Sequence, residues 1–394
     1  MSRSIPNDVK SAIDAITAEI EPRLVELRRD IHAHPELAFE EVRTAGVVAA
    51  ELEKLGIEHK TGVGKTGVVG YIQGGQPGPT LLIRADMDAL PIHEATGLPY
   101  ASTVDGKMHA CGHDIHTTTL LGIGAVLKEL APRLRGNVRL MFQPAEEKAS
   151  GAAAMIEDGV MDGVDMALGM HNRPEIEVGR FGIVRGPTTA STDLFDIRIE
   201  GQGGHSARPF LAKDPLVAAA QLVTQISTIV SNDINAFHAC AIAVGAIHAG
   251  DAHNVIPNSC ELRGTVRSRE PEARKAAEEA MRRLIAGIEI TAGVKCHLDY
   301  KHGVPALVND DRIVDPTIKA IREQIGDVAD DWVASMGGED FSLVSDRVPA
   351  FRLLIGSKQP GRNDKVHTPT YQPGEESIGF GVRALSRAAI DLLS

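Results

Sequence analysis

What most constrains this chain is a rhythm in which short apolar runs of strand length alternate with longer segments of helical periodicity. Val9, Ile13, Ile16 and Ile20, then Leu24, Leu27 and Ile31, recur at spacings of three and four. That spacing predicts an opening helix with one stripe facing a core, broken or kinked at Pro22. A second helical stretch is expected near residues 40 to 55. Val68-Ile72, Leu81-Ala85, Val138-Phe142 and Met166-Met170 then read as strands, with helix patterns starting at His116 and Ser150 between them. Strand, helix, strand in this order predicts an α/β fold, a mostly parallel sheet sandwiched by helices.

The texture changes after Gly186-Pro187. Residues 193 to 200 alternate polar and apolar, as a strand with one wet face does, and a long helix pattern runs from Asp214 to Val230. Cys240-Ile247 and Glu261-Val266 read as strands, followed by a helix from Pro271 to about Ile290 and a strand Lys295-Tyr300. This β-α-β-β-α-β order predicts a smaller ferredoxin-like α+β domain. From Gly303 the first texture resumes. A helix is expected from Asp310, a strand near Trp332-Ser335, a helix from Glu339, the strand Ala350-Ile355 and a closing helix from Glu375. The chain therefore divides into a first part at 1-187, an inserted domain at 188-302 and a second part at 303-394.

Composition narrows the function classes. With 394 residues, 43% hydrophobic and 24% charged, the chain has ordinary globular usage, and disordered, fibrous or low-complexity readings fall away. Acidic residues number 53 against 41 basic ones, and the net charge of -12 repels phosphate backbones and anionic lipid, so neither nucleic acid nor membrane is expected as a partner. Aromatic residues at 4% leave no platform for stacking bases. The stretch from Met1 to Asp8 lacks the apolar run of a secretory signal, and no segment approaches the ~18 apolar residues of a membrane span. Cys111, Cys240, Cys260 and Cys296 are too few and too scattered for a disulfide framework, which predicts a reducing, cytoplasmic setting.

In doubly wound sheets the site lies at the carboxyl ends of the strands. After Leu81-Ala85 come Asp86 and Asp88; after Val138-Phe142 come Glu146 and Glu147; after Met166-Met170 comes His171. Between the first two lies His109-Ala110-Cys111-Gly112-His113-Asp114-Ile115-His116. Each has a plain structural reading. An Asp-x-Asp is commonly a turn, paired glutamates can complement a helix dipole, and one histidine is most often structural. Four such clusters on one edge point instead to metal. Thiolate, imidazole and carboxylate together favour Zn, with Mn, Co or Ni also open, over oxygen-seeking Mg or Ca. Adjacent glutamates suggest a division of labour, one binding metal and one acting as general base. Gly62-Val63-Gly64-Lys65-Thr66-Gly67 matches a dinucleotide fingerprint in spacing only, since it precedes a strand; with His59 where a phosphate loop needs its first glycine, the segment reads as a turn.

These residues carry a resemblance. Ala85-Asp86-Met87-Asp88-Ala89-Leu90-Pro91, the Cys-Gly-His-Asp block, Pro144-Ala145-Glu146-Glu147, Gly204-His205-Ser206 and Val366-His367-Thr368 together resemble the cysteine-containing two-metal amidohydrolases that include hippurate hydrolases, bacterial aminoacylases and auxin-conjugate hydrolases. The resemblance covers almost the whole chain. It implies an aminopeptidase-like catalytic domain in two parts and an insert that is a lid and dimerisation module. By the same resemblance, Cys111, His113, Glu147, His171 and His367 hold two divalent transition-metal ions, with the thiolate shared. Glu146 is the general base and acid, and Asp88 orients a ligand. His205 reaches the partner's site in a homodimer or higher homo-oligomer and polarises the substrate carbonyl, and Asn254 contacts the substrate's carboxylate. Arg267 is a further candidate, though an arginine there is as readily a surface residue. Asp86 stands where the wider superfamily usually has histidine, and Cys111 where it usually has a carboxylate, so metal identity stays open.

The activity this implies is hydrolysis of an N-acyl amino acid, a small molecule, to a carboxylic acid and a free amino acid. A dipeptidase or carboxypeptidase, a thiol hydrolase with Cys111 as nucleophile, and a non-catalytic metal-stabilised binding protein are the rivals.

Overall fold

The computed structural model describes residues 8–394, so the part of the N-terminal reading that concerns Met1 to Asn7 lies outside them. The described chain forms two compact units. The first takes in the chain up to Gly186, Val308–Val333 and Asp340–Ser394; the second takes in Pro187–Leu307 and Ala334–Glu339.

The first unit is built on an eight-stranded sheet. Its strands run in the order Glu58–Val63, Gly67–Gln73, Arg135–Gln143, Gln76–Asp86, Met166–Glu177, Ala350–Lys358, Phe181–Ile183 and Ala329–Asp331. The central strands are parallel: Gln76–Asp86 pairs that way with Arg135–Gln143 and Met166–Glu177, and Met166–Glu177 with Ala350–Lys358. Their carboxyl ends therefore emerge together. Leu81, Ile83 and Ala85 point to one face and join Leu168, Met170, Leu353 and Ile355 in a core under the helices Val9–Ala33, His113–Glu129 and Ser377–Leu392. Leu82 and Arg84 point the other way, where Arg84 meets Asp340.

The helix His113–Glu129 is the centre of this layer, with every residue from His113 to Leu127 buried. Gly122 permits the close approach, since a Cβ there would lie 2.5 Å from Val382 and 2.7 Å from Leu24. In the first helix Asp8 caps the N-terminus through its side chain, and the helix runs unbroken through Pro22 to Ala33. The helix does not break there because the ring removes only one backbone bond, while Leu24 and Leu27 beyond it stay buried in the same core as Ile13 and Ile16.

The second unit has a four-stranded antiparallel sheet in the order Cys240–His248, Ser259–Ser268, Asp193–Glu200, Lys295–Lys301, covered on one face by Pro215–Ile226 and Pro271–Ala292. That is the expected ferredoxin-like arrangement. Phe195, Ile197 and Ile199 face those helices, while Leu194, Asp196 and Arg198 lie on the opposite face.

Several boundaries differ from expectation. The strand Glu58–Val63 has little signal in the sequence: its alternation is weak, and it forms as the antiparallel partner of Gly67–Gln73, closing a hairpin whose turn is the glycine-rich segment. The helix expected over 214–230 ends at Ile226 and resumes as the single turn Ile229–Asn232. The strand near Trp332 lies slightly earlier, at Ala329–Asp331, and the helix expected from Glu339 is the single turn Ser342–Ser345. Among the described residues no helix is long and apolar enough to cross a membrane.

Candidate metal centre

Parallel strands deliver the candidate residues to one edge, and turns finish their placement. Asp86 ends its strand; Met87 and Asp88 continue past it, buried. Gly112 sits at φ 88°, a left-handed conformation that turns the chain into the helix beginning at His113, earlier than the expected start at His116. A Cβ at Gly112 would come within 2.6 Å of the Asn172 side chain, so only glycine lets Cys111 and His113 approach the strand that carries His171. Glu146 and Glu147 lie on a one-turn 3-10 segment, entered through Ala145 at φ 52°. Glu41 steadies that entry by accepting from the Ala145 N–H at 2.9 Å.

Asp88 organises two ligand-bearing segments at once. It accepts the Glu146 N–H at 3.0 Å and the Glu147 N–H at 3.1 Å, and its Oδ1 lies 3.2 Å from His113 Nδ1. With Nδ1 donating there, His113 Nε2 presents a lone pair. His171 is fixed in the same way: its Nδ1 lies 2.7 Å from the Asn172 carbonyl, which leaves Nε2 facing the Cys111 sulfur at 3.5 Å. His367 Nε2 lies 3.2 Å from Glu147 Oε1, and His113 Nε2 lies 3.9 Å from the same oxygen. His367 adopts φ 62° and anchors its N–H on the Ala110 carbonyl at 2.7 Å, tying the late loop to the cysteine loop.

The ligand atoms group tightly. Cys111, His113 and His171 form one set, Cys111, Glu147 and His367 a second, and His113, Glu146 and Glu147 a third; within each set all atoms lie within 4.8 Å of one another. Cys111 is common to the first two, the arrangement a shared thiolate needs. Among the described residues His113 Nε2 and Glu147 Oε1 are buried without a hydrogen bond, and two such ligand atoms facing one another at 3.9 Å fit a cation. Soft and borderline donors suit a transition metal.

The electrostatics agree. Burial alone would lower His113, but Asp86, Cys111 and Asp88 outweigh it and hold its pKa well above the usual range, so the cluster draws positive charge to this spot. Burial pushes His171 well below its usual value, aided by the positive neighbours Arg352 and Arg173, which keeps it neutral and ready to ligate. Burial also pushes the Cys111 thiol up, so a bound cation is what would deprotonate it. For Glu147 burial acts upward, and His367 and His113 overcome it.

His205 and Asn254 belong to the second unit. They adjoin each other there, because His205 pairs with Val255 and the Ser206 N–H donates to the Asn254 carbonyl at 3.1 Å. Both side chains are exposed. His205 Nδ1 accepts from the Ala207 N–H at 3.0 Å, so its proton sits on Nε2 as a donor. Arg267 lies half-buried on the strand Ser259–Ser268 of the same unit.

Sequence reasoning missed the supports. Arg84 Nη1 donates to Asp86 Oδ2 at 2.6 Å, Asp86 Oδ1 meets His116 Nδ1, and His116 Nε2 accepts the Asn172 N–H at 2.9 Å. The Asn172 side chain in turn meets Tyr371. On the helix's other side Arg28 and His32 converge on Asp114 at 2.7 and 2.8 Å. His116, one turn after His113, was the one signal available for this network.

Comparison with known proteins follows the same line. The profile of Peptidase family M20/M25/M40 matches residues 82–391. An N-acetylcysteine deacetylase of Bacillus subtilis is 39% identical over 372 residues, 94% of this chain and 97% of that protein. Thermostable carboxypeptidase 1 of Saccharolobus solfataricus is 39% identical over 382 residues, 94% and 96% of the two chains. Among solved structures, the YXEP protein of Bacillus subtilis, described as a dinuclear metal-binding peptidase, superposes with a TM-score of 0.86 at 37% identity and covers 95% of this chain and 99% of its own.

Proposed function

The chain belongs to peptidase family M20/M25/M40, and from that premise we propose that it is a metal-dependent amidohydrolase cleaving N-acyl amino acids to a carboxylic acid and a free amino acid. The observation that carries this reading is the pairing of Glu146 with Glu147 on one turn, the second joined to His113, Cys111 and His367 and the first beside them. A pure structural site has no use for the extra carboxylate.

Cys111, His113, Glu147, His171 and His367 would hold two divalent ions drawn from Zn, Mn, Co and Ni. When bound, such ions supply Lewis acidity and a water whose pKa falls from ~16 towards ~7. Glu146 takes the proton of the attacking water and returns it to the departing amine nitrogen, without which an amide is a very poor leaving group. Asp88 holds His113 in its ligating tautomer and fixes the turn that carries both glutamates. His205 donates from Nε2 to the oxygen that gains charge, and Asn254 beside it meets the substrate. The second unit serves as lid and dimerisation module. Among the described residues its edge strand Cys240–His248 has one unpaired side, and Phe237, just before it, is 93% exposed. All four cysteines are free, which supports a reducing, cytoplasmic setting.

A panel of acetyl-, benzoyl- and long-chain acyl-amino acids, assayed after reconstitution with each of the four ions, tests the reading. Release of free amino acid from at least one conjugate is expected. Failure on every conjugate, with cleavage of unmodified dipeptides instead, would replace the reading by a dipeptidase.

A further inference from the structure

The strand that delivers His171 carries another group the mechanism has not used. Side chains alternate across a strand, so Arg173 leaves the same face as His171, ~7 Å further along the backbone. Arg173 is half-buried, and its Nε is wholly buried with no hydrogen-bond partner. Among the described residues the guanidinium makes no ion pair. Glu175, next on that face, is exposed and forms no ion pair with it.

A second positive charge faces the same way. On the adjoining parallel strand Leu354 is in register with His171, so Arg352, two residues earlier, lies on that face as well, and it is 6% exposed. A guanidinium partly out of water is costly unless an anion completes it. The edge formed by Nε and the adjacent Nη is the fork that matches a carboxylate bidentately, and its Nε arm is the unsatisfied atom.

An N-acyl amino acid brings such an anion. Its α-carboxylate sits two bonds beyond the scissile nitrogen, close enough to reach the next same-face position when the amide lies at the Cys111, His113 and His171 cluster. We propose that Arg173 binds the α-carboxylate of the substrate and so selects N-acyl amino acids over uncharged amides. The inference rests on the amidohydrolase reading.

The test compares acetate release from N-acetyl-L-methionine and from N-acetyl-L-methioninamide, which carries the same acyl bond without the charge, in wild type, Arg173→Met and Arg173→Lys. Metal content is measured alongside. Wild type should favour the acid. R173M should lose ~10- to 100-fold in kcat/KM on the acid, mainly through KM, with little change on the amide, as removal of a hydrogen bond to a charged group predicts. R173K should recover part of that loss, and metal content should not move. An equal loss on both substrates, no loss on either, or a wild type indifferent to the charge would overturn the assignment. Inactivity of wild type on both substrates would sink the hydrolase reading itself, and the anchor with it.

Discussion

At the scale of single residues, the neighbouring glutamates should separate cleanly. Glu146→Gln removes the proton carrier but leaves the ligand atoms in place, so turnover should fall by ~10²-fold or more while metal content by elemental analysis stays near wild type. Glu147→Gln weakens a ligand, so metal and activity should fall together. The reverse pattern would exchange the two roles. His109 makes a different prediction. Among the described residues neither of its buried ring nitrogens has a hydrogen-bond partner, and burial lowers its pKa to about 3. The unfolded chain takes up that proton near pH 6.5. Folded His109 refuses it until about pH 3, so its contribution to stability is full above pH 6.5 and is lost as pH falls toward 3. Between pH 6.5 and 5 the loss is on the order of 2 kcal/mol. His109→Phe should flatten that part of the profile in urea unfolding; equal slopes for variant and wild type would show that His109 does not govern it.

At the scale of elements, the turn before the helix His113–Glu129 decides how closely two ligand segments meet. Gly112→Ala forces a side chain into a left-handed conformation and against Asn172, whose carbonyl orients His171. The expected outcome is a metal affinity ~10- to 100-fold weaker, read by competition with a chelator, in a protein that still folds. Wild-type affinity would mean that Asn172 can yield without moving His171. The turn also shows what the sequence could and could not disclose. Cys111, Gly112 and His113 were legible because glycine beside two metal donors is an uncommon grouping, and the strands Gln76–Asp86, Arg135–Gln143 and Met166–Glu177 were legible from their apolar runs. Asn172, Tyr371 and Glu41 were not, since an amide, a phenol and a carboxylate acquire their roles only through partners hundreds of positions away or on other loops. Edge and single-turn elements such as Glu58–Val63 and Ser342–Ser345 were missed or misplaced for a related reason: tertiary pairing defines them, while local periodicity does not.

At the scale of the whole molecule, the role proposed for His205 requires a site completed by two chains. His205 is an exposed donor on a two-residue strand, far in sequence from the metal ligands, and its unit ends in an unpaired edge strand. If dimerisation brings His205 into the neighbouring subunit's site, two inactive variants can repair each other. Glu146→Gln lacks the proton carrier but keeps His205. His205→Ala lacks the oxyanion donor, a loss of ~10²-fold or more, but keeps Glu146. Mixed in equal amounts and allowed to exchange subunits, about half of the dimers are hybrids, and each hybrid holds one site with both groups and one with neither. The mixture should therefore regain about a quarter of wild-type activity, since half of the dimers are active in one of their two sites. Size-exclusion chromatography with light scattering would establish the dimer and the exchange. A mixture of exchanged dimers as inactive as its parents would put His205 in its own subunit's site or outside the reaction, and full activity of His205→Ala alone would remove it from the mechanism.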